Sequence, residues 1–168
     1  MDSTSEASYA DFVRTRWRDL VRAGIFLGAS PDEAEDLAQQ TLVRCYANWQ
    51  RVTDASNRDA YVYRMLLNQL RDARRTRWWR GRVDAKPDGS VDDASNRIVI
   101  ADAVHQALDG LSKAHRDVVV LRYFDGLTGA QTATALGISI GTVKSRLSRS
   151  LACLADSQHL SELSEEHR

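Results

Sequence analysis

Apolar residues recur along this chain at intervals of three and four, the period of an amphipathic helix, wherever glycine, serine and acidic residues do not dominate. Phe12, Val13, Leu20 and Val21 form one such set, and Leu37, Leu42, Val43 and Tyr46 a second. Ile98, Ala101, Val104, Leu108 and Leu111 share a further face, and a denser run extends from Val118 to Phe124. No stretch alternates with the period of two that a half-buried strand requires, and no segment repeats another. The pattern predicts an all-α chain of two small helical domains, 9–80 and 98–155. Between them, 81–97 turns to Asp, Ser and Gly with Pro87-Asp88-Gly89 at its centre, the composition of a short, flexible, acidic linker. Residues 1–8 are polar and expected to be disordered, and 156–168 form an acidic tail.

Local signals fix several helix ends. Ser30-Pro31-Asp32-Glu33 has an N-cap serine, a proline in the first turn and a glutamate three residues on, as in a capping box. Near the C-terminus Thr128 can cap a short helix, Gly137 can close it in the left-handed conformation, and Ser139 can cap the next one. About three residues are left for the corner, which is the layout of a helix-turn-helix. Ala133 and Leu136 would face inward at the helix crossing, and Val143, Leu147, Leu151 and Leu154 form one stripe on the second helix. Its other face carries Thr142, Lys144, Ser145, Arg146 and Arg149, and no acidic residue lies between Ser139 and Leu154. Such a face can approach the phosphates and base edges of duplex DNA without repulsion.

Charge sharpens this picture. The 168 residues carry equal numbers of acidic and basic side chains, which alone would argue against a nucleic-acid partner. The distribution says otherwise. Between Ala55 and Arg82 there are eight arginines against Asp59 and Asp72. Tyr61, Tyr63, Arg64, Asn68, Arg71, Arg74, Arg75, Trp78 and Trp79 interleave aromatic and cationic groups on one long helix, behind the polar loop Ser56-Asn57-Arg58. Arginines can hold a phosphate backbone while aromatic faces stack on unpaired bases, so this block suits single-stranded nucleic acid.

Other classes find less support. Cys45 and Cys153 sit far apart among apolar neighbours, with no metal-ligand spacing, and read as buried small residues. His105, His115, His159 and His167 show no ligand spacing, and no glycine-rich phosphate loop or nucleophile setting is present, so neither an enzyme nor a metal or cofactor is expected. No apolar run reaches the roughly 18 residues that span a bilayer, and the cytoplasm is the expected compartment. A helix-turn-helix regulator that is not a polymerase subunit remains the alternative. Its first block, however, should be a strand-containing receiver or a ligand domain.

Four stretches, in order, carry a family resemblance. Glu35-Asp36-Leu37-Ala38-Gln39-Gln40-Thr41, Ala60-Tyr61-Val62-Tyr63-Arg64-Met65-Leu66-Leu67-Asn68, Val119-Val120-Leu121-Arg122-Tyr123 and Gly141-Thr142-Val143-Lys144-Ser145-Arg146-Leu147 resemble bacterial RNA polymerase sigma factors of the extracytoplasmic-function group. The resemblance runs from about Tyr9 to Leu154. It implies that Asp36, Gln39, Gln40, Arg44 and Trp49 dock on the clamp of the largest polymerase subunit, with a further contact at the flap region. It implies that Ser56, Asn57, Arg58, Tyr61, Tyr63, Arg64, Asn68, Arg71, Arg74 and Arg75 melt the minus-ten element and capture an unpaired base. It also implies that Ser139, Thr142, Lys144, Ser145, Arg146 and Arg149 read the minus-thirty-five element in the major groove. The expected partners are core polymerase and promoter DNA, both duplex and single-stranded, with an anti-sigma factor as a candidate regulator. Gln131 and Thr134 depart from the family, where glutamates are common, as does Leu111-Ser112 in place of Leu-Pro.

Overall fold

In the computed structural model, which describes residues 2–79 and 95–157, every regular element is a helix. The first domain comprises α1 (Ser3–Phe26), α2 (Pro31–Ala47), α3 (Trp49–Asp54) and α4 (Arg58–Trp79). The second comprises α5 (Ser95–Asp109), α6 (Lys113–Val119), a π-helical turn (Val120–Phe124), α7 (Gly129–Leu136) and α8 (Ile140–Ala155).

Helix α1 begins inside the stretch expected to be disordered. The Asp2 carboxylate accepts from the Ser5 backbone N–H at 2.9 Å and supplies an N-cap that composition alone does not reveal. Helix α2 starts as its sequence predicts: Ser30 Oγ accepts from the Glu33 N–H, and Glu33 Oε2 accepts from the Ser30 N–H at 2.9 Å, with Pro31 in the first turn. The two helices cross closely because their contact is made of small residues. A Cβ on Gly24 would meet Ala34 Cβ at 3.0 Å, and Ala23, Ala34 and Ala38 are fully buried.

Helix α4 forms the floor of this domain. Val62, Leu66, Leu67 and Leu70 bury against Leu20 of α1 and Leu37 and Leu42 of α2. A buried polar tie joins α2 to α4, where Gln69 Nε2 donates to Thr41 Oγ1 at 2.7 Å and Thr41 in turn donates to the Leu37 carbonyl. Trp49 also packs into this core, edge-on to Tyr9 with ring centroids 5.2 Å apart.

The expected linker lies outside the described residues except for 95–97, which already belong to α5. In the second domain the α-helical ladder of α6 widens at Val120. The Asp125 N–H reaches back five residues to the Val120 carbonyl at 3.1 Å, and Leu127 N–H bonds the Leu121 carbonyl at 2.9 Å. This wider turn carries Phe124 and Asp125 onto α1 and α4. Leu108, Val119, Val120, Leu121, Leu127 and Ala135 bury in the same apolar cluster as the first domain's core, so the two domains pack on one another.

The helix-turn-helix forms as its capping residues predict. Thr128 and Gln131 make a reciprocal capping box, Gly137 ends α7 at φ 67°, and Ser139 Oγ accepts from the Thr142 N–H at 3.1 Å. A Cβ on Gly137 would touch nothing within 4 Å, so the cost of a side chain there is purely conformational. Gly137→Ala is therefore expected to destabilise the fold by about 1–2 kcal/mol. Urea unfolding checks this, and an unchanged midpoint would refute it.

The α8 stripe is rotated from its expected phase. Val143 is buried and Leu147 and Leu154 half-buried, but Leu151 is 39% exposed and Ser150 is fully buried, donating to the Arg146 carbonyl at 2.7 Å. Cys153 turns outward with Leu151, so only Cys45 is the buried small residue expected of both cysteines. Burial pushes the Cys45 thiol up to about 11 and keeps it inert.

Candidate nucleic-acid interface

Two surfaces gather the residues that the sequence marks for nucleic acid. The first is an open cleft of about 410 Å³ at the start of α4, lined by Arg51, Asp54, Ala55, Ser56, Asn57, Tyr61 and Arg64, with Thr134 of α7 at its rim. Asn57 Oδ1 caps α4 by accepting from the Ala60 N–H at 3.2 Å, which holds the asparagine at the cleft's edge. Tyr61 is half-buried with its ring against the core, and Arg64, Asn68 and Arg71 are exposed along the same helix. Arg64 and Arg71 form no ion pair among the described residues, whereas Arg75 pairs with Asp72 at 3.1 Å. Arg58 lies on the far side of the loop, its guanidinium 5.9 Å from the Trp49 ring centroid, where it lines a separate cleft with Ser8, Asp11 and Arg16.

Three of the expected contact residues serve the fold instead. Tyr63 is buried, its hydroxyl directed toward Asp125 without meeting hydrogen-bond geometry, so its ring offers no face to a base in this conformation. Arg74 turns inward and its Nη2 donates to the Leu27 carbonyl at 2.5 Å. From the other domain Arg116 Nε donates to the Phe26 carbonyl at 2.5 Å and its Nη1 to Asp109 at 2.6 Å. Two guanidiniums thereby cap the last carbonyls of α1, where the helix dipole favours cations. They crowd Gly28 at φ 102°, whose Cβ would lie 3.0 Å from Arg74 Nη2. Trp49, expected on the polymerase-facing surface, is the core aromatic described above.

The second surface is the outer face of α8. Ser139, Lys144, Ser145 and Arg149 are exposed and Thr142 and Arg146 half-buried at its edge. Lys144, Arg146 and Arg149 have no ion-pair partner among the described residues, so their charge is available to an anion.

On α2, Asp36, Gln39, Gln40 and Arg44 all face solvent. Asp36 and Gln40 line a small pocket of about 150 Å³ with Glu33, Arg74 and Arg77, the last paired to Glu33. Val43 and Tyr46, which the helical pattern places inward, are 59% and 48% exposed beside them. Helical periodicity does not distinguish two such exposed apolar side chains from core positions.

The family patterns divide the chain where its two domains lie. Sigma-70 region 2 matches residues 11–80, and Sigma-70 region 4 matches residues 101–154. The chain is 38% identical to an RNA polymerase sigma-E factor of Streptomyces avermitilis over 154 residues, 88% of this chain and 83% of that protein. It belongs to the extracytoplasmic-function group of sigma-70 factors. The ECF RNA polymerase sigma factor SigL of Mycobacterium tuberculosis is 34% identical over 151 residues, 84% and 81% of the two chains. This sigma factor also superposes on the sigma factor RpoE from Bartonella quintana, solved in complex with the anti-sigma factor NepR, with TM-score 0.71 and 25% identity over 88% of this chain and 94% of that one. CnrH, solved with the cytosolic domain of CnrY, gives TM-score 0.66 and 25% identity over 90% and 91%. The function is that of a sigma factor in transcription initiation.

Proposed function

We propose that this sigma factor binds core RNA polymerase through the exposed face of α2, reads the upstream promoter element with α8 and opens the downstream element with the cleft at the start of α4. The observation that carries this is a division of labour between two cationic surfaces. One is a convex helix face fit for a major groove, and the other is a concave, arginine-lined cleft with an aromatic ring. Duplex readout needs the first and capture of unpaired bases the second. Binding the unpaired strand draws the duplex open by mass action, so the chain supplies no chemistry of its own and works in the cytoplasm as a non-catalytic subunit.

The docking face comprises Asp36, Gln39, Gln40 and Arg44, with Val43 and Tyr46 as its apolar centre. An anti-sigma factor is the natural regulator, a reading supported by the likeness to two sigma chains solved with such partners. The decisive experiment is run-off transcription by core polymerase on a genomic-fragment pool, with and without this chain. New specific starts are expected; DNA binding by the chain alone with no start would favour the free-standing regulator.

Within this scheme Arg146→Ala should weaken promoter-specific binding by about 1–3 kcal/mol while leaving polymerase association unchanged. Competition binding on cognate and scrambled promoters checks it. Equal losses on both would reassign Arg146 to the phosphate backbone.

A further inference from the structure

We propose that Ile140 is a specificity-determining residue for the upstream element, its side chain packing on the C5-methyl group of one thymine in the major groove. The inference rests on the duplex-reading role proposed above for α8. A recognition helix meets base edges chiefly with its N-terminal residues, so the first turn, Ile140 to Val143, decides what is read there. Val143 is buried and Gly141 has no side chain. The Thr142 hydroxyl lies 2.8 Å from Ser139 Oγ, within the helix cap, and Ser145, one turn on, donates its hydroxyl to the Thr142 carbonyl at 3.1 Å. Ile140 is the side chain of that turn left facing outward, 47% exposed.

The corner of the helix-turn-helix sets this direction. Ile138, just before the Ser139 cap, turns inward onto the small core of Val118, Ala133 and Val143. Ile140, just after it, shares an exposed stripe with Lys144 and Ser148, one and two turns on. The face thus offers an apolar contact at its N-terminal end and a cation behind it. Thymine is the one base that presents a methyl group in the major groove, so an apolar side chain there separates it from cytosine. Isoleucine suits the task because a β-branched side chain in a helix holds essentially one χ1 rotamer, and little freedom is lost on contact. Gly141 leaves clearance beside it. A Cβ there would meet nothing nearer than Ser139 Oγ at 3.8 Å, so the fold has room for a side chain, and its absence lets the backbone approach the groove edge.

The test uses core polymerase with the full chain, on a promoter taken from the run-off selection. Each thymine of the upstream element, on either strand, is replaced in turn by uracil, which removes the methyl group and nothing else. Competition binding reads the affinity of the closed complex. For the wild type, one replacement should weaken binding about 3–5-fold, the worth of one methyl group returned to water. Ile140→Ala should bind the thymine promoter more weakly by at least about that factor and lose nothing further on the same replacement. Ile140→Val keeps the β-branch and should retain part of the sensitivity. An upstream element with no thymine on either strand overturns the proposal, as does a wild type indifferent to every replacement or an Ile140→Ala that keeps the full sensitivity. Arg146→Ala separates this contact from the role of α8 as a whole. If that variant loses its preference for cognate over scrambled promoters while uracil has no effect, α8 still reads duplex and the Ile140 contact alone falls. If the preference too is unchanged, duplex reading by α8 falls with it.

Discussion

Replacing Asn57 and Tyr61 together by alanine is expected to slow promoter opening about 5- to 150-fold, with closed-complex binding changed less than about twofold. The magnitude is that of one lost stacking platform, roughly 1–3 kcal/mol per base. Permanganate reactivity of thymines in the downstream element, followed over time on complexes with core polymerase, measures it. A time course identical to wild type would remove these residues from the melting machinery. The double variant carries an internal contrast. Loss of Asn57 also removes the acceptor for Gln131, so the free chain should open more readily even as the holoenzyme opens promoters more slowly. A residue that served only to hold the domains together would move both measurements the same way.

Acid is expected to tighten the closed form. Burial pushes the Asp125 carboxyl up to about 7 from its ordinary 3.8, and both of its oxygens lack hydrogen-bond partners. The Tyr63 hydroxyl of α4 and Arg22 and Arg16 of α1 favour the ionised form, Asp19 of α1 opposes it, and Arg16 is itself shared with Asp59. In an opened chain this carboxyl is solvated and ionises in the usual range. Closure is therefore unopposed below about pH 4, weakens steadily as pH rises towards 7, and is level above that. The full span corresponds to at most about 4 kcal/mol. Asp125→Asn has no charge to expel, so its domain packing should be as tight at pH 8 as at pH 5, whereas that of the wild type should loosen over this range. Small-angle scattering between pH 5 and 8 would register this. If the variant follows the same pH profile as wild type, the dependence lies in another group.

The helix ends were legible because their causes are local. Ser30 with Glu33, Thr128 with Gln131, and Gly137 with Ser139 each satisfy backbone groups within four residues, and each motif forms in the structure. The exposed face of α8 was legible for a similar reason, since a stretch without acids needs no knowledge of neighbours. Residue type alone failed where the partner is distant. Trp49, Tyr63 and Arg74 are the aromatics and cations that nucleic acid or polymerase would recruit, but Phe12, Asp125 and the Leu27 carbonyl claim them first. Val43 and Tyr46 failed in the opposite sense, because apolar periodicity does not tell a core face from an exposed one. The α8 stripe slipped because Ser150 can bury its hydroxyl by bonding its own helix, so it fills a place that hydrophobicity assigns to leucine. Asp125, in a short loop after an apolar run, gave no sequence signal at all.

The widened turn at Val120–Phe124 sets the angular phase between α6 and the helix-turn-helix. Each residue in a helix rotates the chain by about 100°. Deleting one residue there would restore an ordinary ladder and swing Phe124 and Asp125 away from α1 and α4, while every capping motif of the helix-turn-helix would remain intact. Coupling between the domains is thus written in chain length rather than in side-chain chemistry. One codon lost at this point would uncouple the two domains without altering a residue on the exposed face of α8.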